Sequence, residues 1–101
     1  MLKDAGLIPV AQATIRSAEN EEVRLEYLLH NITGPEGGAY YGLRVDKYLP
    51  NGELIESADS LPFTGSLKRA ATLAEVFAAG TVTPCVLQEM VTEWQEDIIV
   101  V

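Results

Sequence analysis

Gly80-Thr81-Val82-Thr83-Pro84 separates two stretches of helical periodicity, and this short punctuation constrains the fold more than any other segment. Upstream, Leu67, Ala70, Ala71, Leu73, Ala74, Val76 and Phe77 recur as one apolar stripe, with Thr64-Gly65-Ser66 before it and Gly80 placed to stop it. The spacing predicts a helix over 66–79. Downstream, Thr83 is placed to cap a second helix, and Pro84 suits its first turn, where a missing N–H is harmless. Leu87, Met90, Val91 and Trp94 then share one face, while Gln88, Glu89 and Glu93 lie off it. So short a linker requires the helices to pack on each other or on one sheet, and the second arrangement is expected.

The sheet is read from period-two alternation. Val23, Leu25, Tyr27 and Leu29 point one way, and Arg24, Glu26 and His30 the other, with Leu28 the exception. Asn31 to Gly38 is a turn-rich loop. Beyond it Tyr41, Leu43, Val45 and Leu49 form an apolar face opposite Tyr40, Gly42, Arg44, Asp46 and Tyr48. Pro50-Asn51-Gly52 predicts a tight hairpin, because glycine and asparagine accept positive φ, and a weaker strand returns near Glu53 to Ala58.

Residues 1–20 read as an N-terminal arm or an edge strand. Ile8, Val10, Gln12 and Thr14 interleave with Pro9, Ala11, Ala13 and Ile15, and Pro9, which donates no ladder hydrogen bond, favours an edge. Residues 21–101 read as a single domain. Ile98-Ile99-Val100-Val101 is expected to add an edge strand or to dock on a partner.

The fifteen acidic and seven basic residues give a formal charge of −8, which opposes binding to nucleic acid and to anionic membranes. No apolar run approaches the roughly 18 residues of a membrane span, and the short apolar stretch near the start, broken by Gly6 and Pro9, does not read as a signal peptide. Cys85 is the only cysteine, so no internal disulfide forms, and a soluble protein of the reducing cytoplasm is the expectation.

Chemistry-bearing patterns are weak. With one histidine and one cysteine, sites built from several of either are excluded, and no cofactor or metal is expected. Pairing of Cys85 with His30 as nucleophile and base has no motif behind it, and an inert thiol in a helix's first turn is the favoured reading. Glu21/Glu22 and Glu96/Asp97 read as solvated turns or helix ends, not as a tuned acid and base. The best small-ligand candidate is Thr64, Gly65, Ser66, Lys68 and Arg69, which combine a helix start, hydroxyls and two cations suited to an anion such as phosphate or a nucleotide. An ordinary capped helix explains the same residues. Arg24, Glu26, Arg44 and Asp46, with Tyr40 and Tyr48, read first as cross-strand pairs on a wet face and second as a recognition patch. Trp94 reads as a core anchor.

Arg24-Leu25-Glu26-Tyr27, Tyr41-Gly42-Leu43, Leu73-Ala74-Glu75-Val76-Phe77 and Gly80 to Val91 together resemble a small uncharacterised family of clostridial-type Gram-positive bacteria, a domain of unknown function, over about residues 22–95. The resemblance implies an α+β domain of cytoplasmic bacterial type and carries no activity or functional residue with it.

The expected fold is therefore α+β, an antiparallel sheet of three or four strands with two C-terminal helices on one face. The expected function is a non-enzymatic interaction or regulatory module with a protein partner or a second copy of itself; the alternative is a small anionic-ligand sensor at Thr64 to Arg69. Tyr27, Leu43, Phe77 and Trp94 are expected to share one interior.

Overall fold

The computed structural model describes residues 4–16, 18–34 and 37–99, with side chains from 6 to 94. Four antiparallel strands form one sheet in the order β1-β2-β3-β4: β1 Asp4–Arg16, β2 Glu22–Thr33, β3 Ala39–Tyr48 and β4 Leu54–Asp59. Helix α1 spans Leu67–Ala79, and a 3₁₀ turn at Pro84–Val86 leads into α2, Leu87–Ile99. The fold is α+β, two layers deep. Helix α1 lies across β1, β2 and β3, while the 3₁₀ turn and α2 cover the β4 side.

Alternation places Leu25, Tyr27 and Leu29 of β2, and Leu43 and Val45 of β3, in one cluster with Leu73, Ala74 and Phe77 of α1 and Leu87 and Val91 of α2, and buries Val23 at the start of β2. Tyr27, Leu43 and Phe77 share this interior, and Trp94 packs at its margin. Burial of each large aliphatic chain stabilises by roughly 1.5–3 kcal/mol.

The first strand is an edge strand, and its interleaved pattern has a physical cause. Pro9 pairs with Leu28 and Ala11 with Tyr27, so Val10 is an extra residue in a β-bulge, and both Val10 and Ala11 touch the core. The bulge flips the parity. Ile8, Ala11, Ala13 and Ile15 stand opposite inward-facing residues of β2, while Pro9, Gln12 and Thr14 stand opposite outward-facing ones.

Several expectations are corrected. Strand β2 runs on through Asn31 to Thr33, because Ala39, Tyr40 and Tyr41 pair with Thr33, Ile32 and Asn31 before the loop begins. Ile98 and Ile99 form no strand: the backbone of α2 continues through them, and Val100 and Val101 lie outside the described residues. Thr83 does not cap the second helix; its hydroxyl lies 3.3 Å from Cys85 Sγ. Gly80 ends α1 with φ −90°, and the left-handed residue is Thr81 with φ 50°. Thr81 N–H donates to Ala78 O and Val82 N–H to Phe77 O at 3.0 Å, the pair of bonds that defines a Schellman end.

At the other turn, Gly52 N–H closes on Leu49 O at 2.9 Å around Pro50 and Asn51, and Gly52 takes φ +90°. Beyond β4 the chain stays beside β3: Ser60 N–H donates to Leu43 O, Phe63 N–H to Tyr41 O, and Tyr41 N–H to Thr64 O. Gly42 permits this approach, since a Cβ there would stand 3.0 Å from Ser60 O.

Candidate functional site

The helices cover one face of the sheet, and the outward residues of all four strands meet on the other. Cross-strand register sets Gln12, Glu26, Asp46 and Ser57 in one row, and Thr14, Arg24 and Tyr48 in the next. The register thereby brings together Arg24, Glu26, Asp46 and Tyr48, with Arg44 one row beyond Asp46, while Tyr40, paired with Ile32, lies at the far end of β3 and does not join them.

Asp46 is the centre. Only 5% exposed although it faces away from the helices, it accepts from Arg44 Nε at 2.9 Å, from Ser57 Oγ at 2.6 Å and from Tyr48 Oη at 3.4 Å. A carboxylate so shielded needs these partners, because an unpaired buried charge is expensive. Arg44 also reaches Asp59 at 4.0 Å. Its hydrogen bond to Asp46 raises its pKa further, partly offset by burial, and its charge is permanent. Burial, with the neighbouring charges of Asp46 and Glu26, raises Tyr48 as well. In the adjoining row Arg24 stacks on the Tyr48 ring at 4.8 Å and lies 4.0 Å from Glu26. Two shallow hollows border this pair, one of about 350 Å³ beside Pro9, Gln12 and Glu26, the other of about 260 Å³ beside Thr14, Arg24 and Leu49. Sequence alternation locates the face but not the burial of Asp46, whose partner Ser57 lies on the weakly patterned fourth strand.

Thr64 to Arg69 form the start of α1. Thr64 Oγ1 accepts from Ser66 N–H at 3.1 Å, and Ser66 Oγ accepts from Arg69 N–H at 3.2 Å, so both hydroxyls serve the chain's own backbone. Gly65 and Lys68 are exposed, and the Arg69 guanidinium sits 6.0 Å from the centre of the Trp94 ring. Trp94 meets Phe63 edge-on, 5.5 Å between centroids.

His30, opposite Gly42, stands on the helix-free face, whereas Cys85 lies exposed in the 3₁₀ turn of the helical layer, so the sheet separates them. Among the described residues no group of three or more His, Cys, Asp or Glu is placed to hold a metal ion. No helix among them is long and apolar enough to cross a membrane. The side chains of Glu96 and Asp97 lie outside the described residues. What this arrangement can do chemically is present oriented guanidinium groups, a tyrosine ring and carboxylates over a flat surface. The model of a family of unknown function (DUF6514) matches residues 7–97. No curated protein and no solved structure matches.

Proposed function

We propose, from the premise that the chain belongs to this family of unknown function, that it is a non-enzymatic interaction or regulatory module whose helix-free sheet face receives a protein partner. The observation that carries the reading is the fixed geometry around Asp46. Arg24, Arg44 and Tyr48 are oriented before any partner arrives, so little side-chain entropy remains to be lost on contact. Arginine and tyrosine are also enriched where interfaces concentrate their affinity. The anionic-ligand alternative has weaker support, since the Thr64 and Ser66 hydroxyls are engaged as caps.

The test is affinity capture from the source cell with three proteins: the wild type, an open-face double variant Arg24→Glu/Tyr48→Ala, and Glu75→Lys on the exposed side of α1. A partner retained by the wild type and by Glu75→Lys, but lost by the double variant with its melting temperature little changed, supports the reading. Equal capture by all three overturns it. A melting temperature raised by phosphate or nucleotides, and unaffected by the double variant, shifts the assignment to the start of α1.

A further inference from the structure

The two edges of the sheet are built differently. Along β1, Pro9 offers no N–H, the bulge at Val10 interrupts the ladder, and a second irregularity falls between Asp4 and Leu7, beside Gly6 at φ +105°. These devices deter a further strand. Strand β4 has no proline, its one register irregularity falls at Ile55 and leaves Glu56 to Asp59 in regular pairing with β3, and among the described residues no strand lies on its outer side. Ser60 N–H donates to Leu43 O, so the alternation of an antiparallel ladder aims the Ala58 and Glu56 backbones at β3 and those of Ser57 and Asp59 outward. The short contact of Ser57 Oγ with Asp46 fits the close approach of a pair that does not exchange backbone bonds.

Leu54 and Ile55 on this strand are 46% and 45% exposed, and the carboxylates of Glu53, Glu56 and Asp59 are exposed around them. A second copy pairing antiparallel to β4 would set this acidic strand against itself, which like charges oppose. An oppositely charged strand meets the reverse condition, and main-chain bonds to an edge with charge selection along it are an established way to hold an extended peptide. We infer that the outer edge of β4 is a docking strand for an extended, cationic segment of a partner protein, in which lysine or arginine alternates with aliphatic residues. This goes beyond the open face: the contacts are the backbones of Ser57 and Asp59, flanked by Leu54, Ile55 and Glu56.

The probe is a capped octapeptide of alternating lysine and valine, titrated at low salt into the ¹⁵N-labelled full chain, with the same peptide carrying glutamate for lysine as control. The expected result is that the largest amide shifts and slowed exchange fall on Ser57 and Asp59, and that the glutamate peptide does not bind. Affinity is expected to drop about tenfold in Glu56→Lys, which tests the charge, and as much in Asp59→Pro, which removes an outward N–H. Arg24→Glu leaves binding unchanged, so failure here is distinguishable from failure of the open-face reading. Should Asp59→Pro not fold, Glu56→Lys and the exchange data decide. Absence of binding at millimolar peptide overturns the inference. So do shifts centred on β1 or on the open face, equal binding of the glutamate peptide, or a dimer by light scattering whose Ser57 and Asp59 amides are protected without peptide.

Discussion

Tyr27 shows how much one atom can organise in a chain of this size. The largest fully buried side chain among the described residues, it sends its hydroxyl from β2 to Val82 O at 2.8 Å, tying the sheet to the turn between the helices. Burial pushes its pKa from 10.0 up to about 12. Below pH 10 folded and unfolded chains both keep the proton; between pH 10 and about 12 the unfolded chain releases it first, so stability is lost through that window as pH rises. Tyr27→Phe should cost about 1–2 kcal/mol at neutral pH, because the Val82 carbonyl is left without its partner. It should also flatten the alkaline loss, and urea titrations of both proteins across the window check both effects. Thr81 invites the opposite experiment. A β-branched residue at φ 50° carries a penalty of about 1–2 kcal/mol that glycine escapes, less the greater freedom glycine has when unfolded. Thr81→Gly should therefore raise the melting temperature by a few degrees; a lower one would show that the bond from Thr81 Oγ1 to Gly80 O, 2.8 Å, outweighs the backbone term.

The bulge in β1 makes a sharper claim about an element. Removing Val10 leaves Pro9 opposite Leu28 and Ala11 opposite Tyr27 as consecutive pairs, so the register on both sides survives. Removing Ala13 moves Gln12 to the inward position opposite Leu25 even when the bulge straightens to restore the pairing from Pro9 back. The Val10 deletion should fold and lose only about 1–2 kcal/mol of apolar contact, whereas the Ala13 deletion should cost several kcal/mol more. Chemical denaturation of the two deletions decides. The same element shows where sequence reading reaches its limit. Alternation along β2 and β3 was legible because one face is buried and each register step is regular, and the first helix was legible to within one residue, since Ser66 serves as its N-cap and Gly80 as its C-cap. In β1 one inserted residue made a single pattern look like two. The run from Ser60 to Thr64, which follows β3 after β4 ends, offers no periodicity, because its pairing to Tyr41 and Leu43 rests on the missing side chain of Gly42. Ile98 and Ile99 are strand formers by propensity, yet they continue a helix begun by Leu87, Met90, Val91 and Trp94, an example of context overriding local preference. The open face was legible as a set of residues and not as a network, since alternation reports the side of the sheet and says nothing of distance across strands.

Across the whole molecule the packing is uneven, and cooperativity should follow it. The chain is a flattened body of 46 × 36 × 19 Å, in which α1 lies across β1, β2 and β3 and seals Leu25, Tyr27 and Leu29 of β2 and Leu43 and Val45 of β3. Helix α2 is held at the β4 side through Leu87 and Val91, with Met90 and Trp94 half-buried, and the strand beneath it is the shortest of the four. Regions with fewer buried contacts open at lower free energy than the core. Native-state hydrogen exchange should therefore rank the amides of β2, β3 and α1 as exchanging only on global unfolding, with β4 and the later turns of α2 exchanging through a smaller opening. Paired truncations test the same gradient. Leu73→Ala, under α1, should lower stability by about 2–5 kcal/mol and accelerate exchange everywhere. Trp94→Ala should accelerate exchange in α2 and around Phe63, its edge-on neighbour, while leaving the amides of β2 and β3 close to their original rates. If both variants speed all amides equally, the helical layer and the sheet open as one unit, and the docking strand at β4 is as rigid as the core behind it.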